Sequence, residues 1–152
     1  MTAVPWLHSS TIAVFPSYEF KRFEQDVKLI KGHAGQITDV KFSPFAKQLL
    51  CSTSEDATAK LWILKNPKGI DEHLFKEDAS LLGHNKKVLS VEWHHIVNSM
   101  CATSSMDNTV RVWDVEKQKN TFSFTKVSNM ATCLKWSPKG NQLAVNSRQG
   151  NL

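Results

Sequence analysis

Gly83-His84-Asn85-Lys86-Lys87-Val88, followed by Ser105-Met106-Asp107-Asn108-Thr109-Val110-Arg111-Val112-Trp113-Asp114, is the stretch that decides the fold. Shifted back by 51 residues, it matches the chain itself without a gap. Gly83-His84 falls on Gly32-His33, Val91 on Val40, Ser105 on Ser54, Asp107 on Asp56, Thr109 on Thr58 and Trp113 on Trp62. In both copies the Trp lies 29 residues after the His. A fixed period of this size marks a repeat architecture, in which one supersecondary unit buries its faces only by stacking on its neighbours.

A third, degenerate copy begins near the end. Lys135-Trp136-Ser137-Pro138 aligns with Lys41-Phe42-Ser43-Pro44, and Gln142-Leu143 with Gln48-Leu49; Val127 stands at the His position and Gly150 at the Asp position. Each copy reads as four short strands. Val40 and Phe42, then Leu89, Val91 and Trp93, then Leu134 and Trp136 alternate with polar neighbours, the period-two signal of half-buried strands. Second strands are expected at 48–54 and 99–105. Third strands carry Ala59, Leu61 and Ile63, then Val110, Val112 and Asp114. Fourth strands are expected at 27–30, 79–82 and 121–126. Turns centre on Asp56 and Asp107. Four antiparallel strands per unit make a propeller blade, and Gly-His followed by Trp-Asp resembles the signature of WD repeats. The expected fold is therefore all-β, an incomplete WD40-type propeller of about two full blades with partial blades on either side. Its units are 1–31 (a partial blade and the strand leading into the first repeat), 32–82, 83–126 and the truncated 127–152.

The WD resemblance implies a buried hydrogen-bond relay in each full repeat. His33 would bond Asp56 and a strand hydroxyl, Ser52 or Ser54, which in turn meets the Trp62 indole. His84, Asp107, Thr103 or Ser105, and Trp113 would form the second. Buried Trp and His need partners for their N–H groups, so such a network is structural. A Ser–His–Asp trio also invites a hydrolase reading. A nucleophile, however, needs an exposed elbow and an oxyanion hole. A trio repeated at constant spacing beside a Trp serves packing, so no catalysis is expected.

Composition bounds the rest. Of the 152 residues 41% are hydrophobic and 22% charged, enough for a real core and too mixed for disorder. The formal charge of +5 favours acidic partners, but it is spread along the chain rather than gathered in a binding tail. Nucleic acid is not expected as a partner. Cys51, Cys101 and Cys133 are far apart and odd in number, which points to reduced, structural thiols rather than a disulfide framework or zinc site. His8 and His73 have no partners at ligand spacing, and His94-His95 reads as a turn element. No phosphate-cradling glycine loop occurs, and no cofactor is expected. The first residues lack a basic segment and a long apolar run, and no stretch of about 18 apolar residues exists. A cytoplasmic location is expected.

Finer motifs resemble coronins, the propeller proteins of the actin cytoskeleton. Ser54-Glu55-Asp56-Ala57-Thr58-Ala59-Lys60-Leu61-Trp62, Gly83-His84-Asn85-Lys86-Lys87-Val88 and Trp93-His94 follow the family pattern, as do Thr11-Ile12-Ala13-Val14-Phe15-Pro16 and the long connection from Lys65 to Asp78. His95 stands where the family has Pro, and Phe20-Lys21-Arg22 lacks the family Gly. The resemblance implies binding to actin filaments and a place on the actin cytoskeleton. Filaments are acidic, so the candidate contacts are Lys21, Arg22, Lys86, Lys87 and Arg111. The alternative is a general WD scaffold subunit that gathers other proteins through its loops. Closed propellers hold roughly four to eight blades, so the chain is read as a fragment, with self-association to cover open blade edges, or docking on another propeller protein, as the alternatives.

Overall fold

The computed structural model describes residues 2–5, 9–15, 28–64, 75–125 and 130–147. Every element among them is a strand: β1 (Thr2–Pro5), β2 (Thr11–Phe15), β3 (Lys28–Lys31), β4 (Ile37–Phe42), β5 (Leu49–Ser54), β6 (Ala59–Leu64), β7 (Phe75–Leu81), β8 (Val88–Trp93), β9 (Met100–Ser105), β10 (Val110–Asp114), β11 (Lys119–Phe124), β12 (Ala131–Trp136) and β13 (Leu143–Ser147). They form four antiparallel sheets in chain order: β1-β2-β3, β4-β5-β6-β7, β8-β9-β10-β11 and β12-β13. The chain is thus part of a WD40-type propeller, with two complete four-stranded blades between a three-stranded and a two-stranded sheet.

Some strand limits differ from the expectation. β7 begins at Phe75, so the last four residues of the expected connection from Lys65 to Asp78 are strand, paired with β6 through Leu64↔Phe75 and Ile63↔Lys76. The cause is tertiary. An exposed outer strand needs no apolar alternation, so Lys76 joins it opposite Ile63 through the ladder alone, while Asp78 is the extra residue of a bulge. β11 likewise starts earlier, at Lys119.

The core lies between blades rather than within one. Ile12, Val14 and Ile30 of the first sheet meet Ile37, Leu50 and Trp62 of the second. Cys51, Ala59, Leu61, Ala79 and Leu81 of the second blade meet Val91, Trp93, Cys101, Trp113 and Val115 of the third. Ala102, Val110 and Val112 then meet Ala131 and Leu134. A flat sheet buries both faces only by stacking, and each fully buried Leu or Val contributes about 1.5–3 kcal/mol when it does so. The second strands β5 and β9 are consequently buried along almost their whole length.

The innermost strands run side by side in the same direction and are stitched polar group to polar group. Thr38 Oγ1–H donates to the Val88 carbonyl at 2.6 Å, the Val91 N–H to Asp39 Oδ2 at 3.1 Å, and the Trp93 indole N–H to the Lys41 carbonyl at 2.9 Å. Glu92 accepts from Lys41 on one side and from Lys135, at 2.7 Å, on the other. The 51-residue period of the sequence is therefore also the blade-to-blade register.

Candidate functional site

Two polar relays occupy equivalent places in the two complete blades. The turns that follow β5 and β9 put Ala57 (φ 67°) and Asn108 (φ 61°) in the left-handed region, which folds Asp56 and Asp107 back toward the preceding histidine. Their backbone is held by Ser54 Oγ, which accepts the Asp56 N–H at 3.2 Å, and by Ser105 Oγ, which accepts the Asp107 N–H at 3.1 Å.

In the first relay His33 Nδ1–H donates to Asp56 Oδ2 at 2.8 Å, Ser52 Oγ–H donates to His33 Nε2 at 2.8 Å, and the Trp62 Nε1–H donates to Ser52 Oγ at 2.8 Å. In the second, His84 meets Asp107 at 2.9 Å and Thr103 at 2.8 Å, and the Trp113 indole donates to Thr103 Oγ1 at 2.8 Å. The strand hydroxyls in the relays are therefore Ser52 and Thr103, while Ser54 and Ser105 hold the turns. Thr58 and Thr109 also belong to the relays. Each donates its hydroxyl to the other carboxylate oxygen at 2.6 Å. Sequence reasoning did not assign them this role, although their exact match across the 51-residue shift was the available signal.

The glycine before His33 makes room for the Trp62 indole, whereas the one before His84 makes room for Arg111. A Cβ on Gly32 would stand 2.6 Å from Trp62 Cη2. Trp62 and Trp113 stand in regular register opposite Leu50 and Cys101, and the outer strands beside them each carry a bulge, with Asp78 and Thr121 as the extra residues.

Electrostatics agree with a closed, neutral histidine. Burial lowers the His33 and His84 imidazoles below their ordinary range and outweighs the bonds from Asp56 and Asp107. Burial alone would raise the Asp56 carboxyl. Bonds from the Thr58 hydroxyl and from His33 reverse this and bring it down to about 2. Asp107 is held well below the carboxylate range by Thr109, the Asn85 N–H and His84, also against burial. Ser52 and Thr103 are wholly buried, so the trio offers no path to a substrate. Among the described residues no group of His, Cys, Asp or Glu is placed to hold a metal ion.

The candidate surface cations separate. Lys86 and Lys87 are exposed in the connection before β8, and Lys87 pairs with Glu55 of the neighbouring blade at 2.5 Å. Arg111 is not an open surface cation. It is half-buried over Gly83, where a Cβ would stand 2.8 Å from its Nη1, and its Nε is buried. Its counterpart Lys60 is tied to Glu77 at 2.8 Å. Lys21 and Arg22 lie outside the described residues.

The relays, the blade order and the 51-residue register define a class. The chain belongs to the WD domain, G-beta repeat family, whose model matches residues 24–62 and 75–114. Within that class its relatives are coronins. It is 31% identical to a coronin-like protein of Saccharomyces cerevisiae over 99% of this chain and 24% of that protein, and 30% identical to Coronin-7 of Homo sapiens over 99% and 16%. The WD40 domain of Toxoplasma gondii coronin superposes with a TM-score of 0.85 at 34% identity, over 95% of this chain and 37% of that one. A chain of a mitotic checkpoint complex, 18% identical with a TM-score of 0.76 over 95% of this chain and 40% of that one, shares the fold. The chain thus spans a quarter or less of those two curated relatives.

Proposed function

We propose that this chain is a coronin-like WD-repeat module that binds actin filaments and supports organisation of the actin cytoskeleton in the cytoplasm, as a non-catalytic platform. The observation that carries the reading is the match to a coronin WD40 domain at 34% identity and a TM-score of 0.85 over 95% of the chain. The relays support it in a negative sense. Their hydroxyls and imidazoles are spent on the fold, which leaves recognition to loops on a rigid scaffold.

Lys86 and Lys87 are the open members of the candidate contact set, and Lys86 is exposed without an ion-pair partner among the described residues. Filaments are acidic, so contact with them is expected to weaken with salt. The test is co-sedimentation of the purified chain with actin filaments across a salt series, with circular dichroism to confirm a folded β protein. Salt-sensitive pelleting that falls severalfold in the Lys86→Glu/Lys87→Glu variant supports the reading. Unchanged pelleting of the folded variant removes these two lysines from the site. If the folded parent chain does not pellet, and pull-downs recover a defined complex without actin, the general scaffold reading takes its place.

A further inference from the structure

The hairpin tips at the other end of the blades carry a second surface. Because the inner strands run in one direction, the loops after β4, β8 and β12 leave from the same end. His94 and His95 tie two of them together through the Gly140 and Pro138 carbonyls at 2.9 and 3.0 Å. At equivalent positions in the three loops stand Phe45, Ile96 and Lys139. Phe45 is 46% exposed, Ile96 54%, and the adjoining Val97 44%. These side chains add little to any blade core. Phe45, Ile96 and Val97 thus leave large apolar groups in solvent on two neighbouring loop tips at one end of the fold, the kind of surface a partner can cover.

The loops are held rigid from within. Ser43 Oγ accepts the Phe45 and Ala46 N–H groups, both at 3.3 Å, and His94 Nδ1 accepts those of Ile96 and Val97 at 3.0 and 2.8 Å. Ser137 Oγ accepts the Gln142 N–H at 3.2 Å. Preorganised tips lose little conformational freedom when a partner docks. The charge around them is cationic. Lys47 and Lys139 are exposed and have no ion-pair partner among the described residues. Among the described residues the acids at this end are engaged, Asp114 by Lys117 at 2.9 Å and Glu116 by the Ser99 hydroxyl at 2.5 Å.

We infer that this end docks an acidic amphipathic protein segment, whose apolar side chains seat on Phe45, Ile96 and Val97 while its carboxylates meet Lys47 and Lys139. Three apolar anchors beside two cations suit a peptide better than a nucleic acid, whose affinity comes from many phosphate contacts. The site lies opposite Lys86 and Lys87 and does not depend on the actin reading.

The probe is a short labelled peptide of alternating leucine and glutamate, titrated into the full chain by fluorescence anisotropy. The same peptide with lysine for glutamate is the control. The acidic peptide binds, and the basic one binds at least about tenfold more weakly. Phe45→Ser/Ile96→Ser lowers affinity at least about tenfold with the circular dichroism unchanged, as expected for anchor residues. Lys47→Glu/Lys139→Glu weakens binding and flattens its salt dependence, and Leu82→Ser at the opposite end has no effect. In spectra of the unaltered chain the peptide moves amide signals of residues 43–48, 94–99 and 137–142, a readout that needs no variant. No binding of the acidic peptide, equal binding of both peptides, or signals that move elsewhere overturns the proposal. So does an oligonucleotide that competes at these tips. Filament pelleting persists in Phe45→Ser/Ile96→Ser, so failure here and failure of the actin reading are separate results.

Discussion

His94 holds Gly140 across a blade boundary: its Nε2–H donates to the Gly140 carbonyl at 2.9 Å, while its ring stands where any side chain at position 140 would have to go. A Cβ there would lie 2.6 Å from His94 Cε1, on a backbone with φ of +70°. Gly140→Ala is therefore expected to destabilise the chain by about 1–3 kcal/mol through backbone strain, with more from the clash. His94→Ala removes the loop cap and the inter-blade bond. His94→Ser recovers part of that loss, because serine caps the equivalent loops at Ser43 and Ser137. Urea unfolding of the single and double variants checks the coupling. Additive effects at positions 94 and 140 would show that the contact carries no energy of its own.

Thr103 separates packing from hydrogen bonding in the second relay. Thr103→Val keeps the shape but orphans the Trp113 indole N–H and the His84 Nε2, at about 1–3 kcal/mol for each buried group left unpaired. Thr103→Ser keeps the hydroxyl, as Ser52 does in the first relay, and is expected to cost less. A valine variant as stable as the parent in urea would show that the relay is dispensable.

Acid should undo the relays in two stages. The folded His33 and His84 titrate below the ordinary imidazole value of 6.5, so they contribute stability at neutral pH that is lost as the pH falls below that value. Asp56, lowered from 3.8 to about 2, contributes stability above the carboxylate range that is lost as the pH falls from there toward 2. Asp107 acts in the same direction. Urea midpoints measured from pH 8 to pH 3 should decline on acidification. A midpoint flat between pH 7 and pH 5 contradicts the histidine part.

The three thiols should divide by accessibility. Cys51 is buried, and its neighbour Cys101 and its burial both push its thiol up, which removes the reactive thiolate. Cys133 is exposed. A thiol reagent should label Cys133 in the native chain and the other two only after unfolding, as read by mass spectrometry. Rapid labelling of Cys51 without unfolding would mean that the blades separate readily.

Much of this could be read before any coordinates. Gly32-His33 and Gly83-His84 at a constant distance from Trp62 and Trp113 indicated the blades, and Asp56 and Asp107 their turns. The relay hydroxyl stayed ambiguous because Ser52 and Ser54 share a strand face, as do Thr103 and Ser105. Only register separates them. Ser52 lies opposite Val40 and within reach of both His33 and Trp62, whereas Ser54 sits at the strand end and binds the turn. Arg111 is a candidate contact for its charge, but it lies half-buried over Gly83, where a Cβ would stand 2.8 Å from its Nη1.

The sequence by itself determined the repeat, the strand order within each blade and the membership in the WD class, because period and alternation are local properties written along one chain. Tertiary structure alone decided which hydroxyl completes each relay, how His94 serves both a loop and its neighbouring blade, and how the inner strands of successive blades are joined. Those facts depend on groups some 20 to 51 positions apart meeting across strands and blade boundaries, where register and packing set the distances.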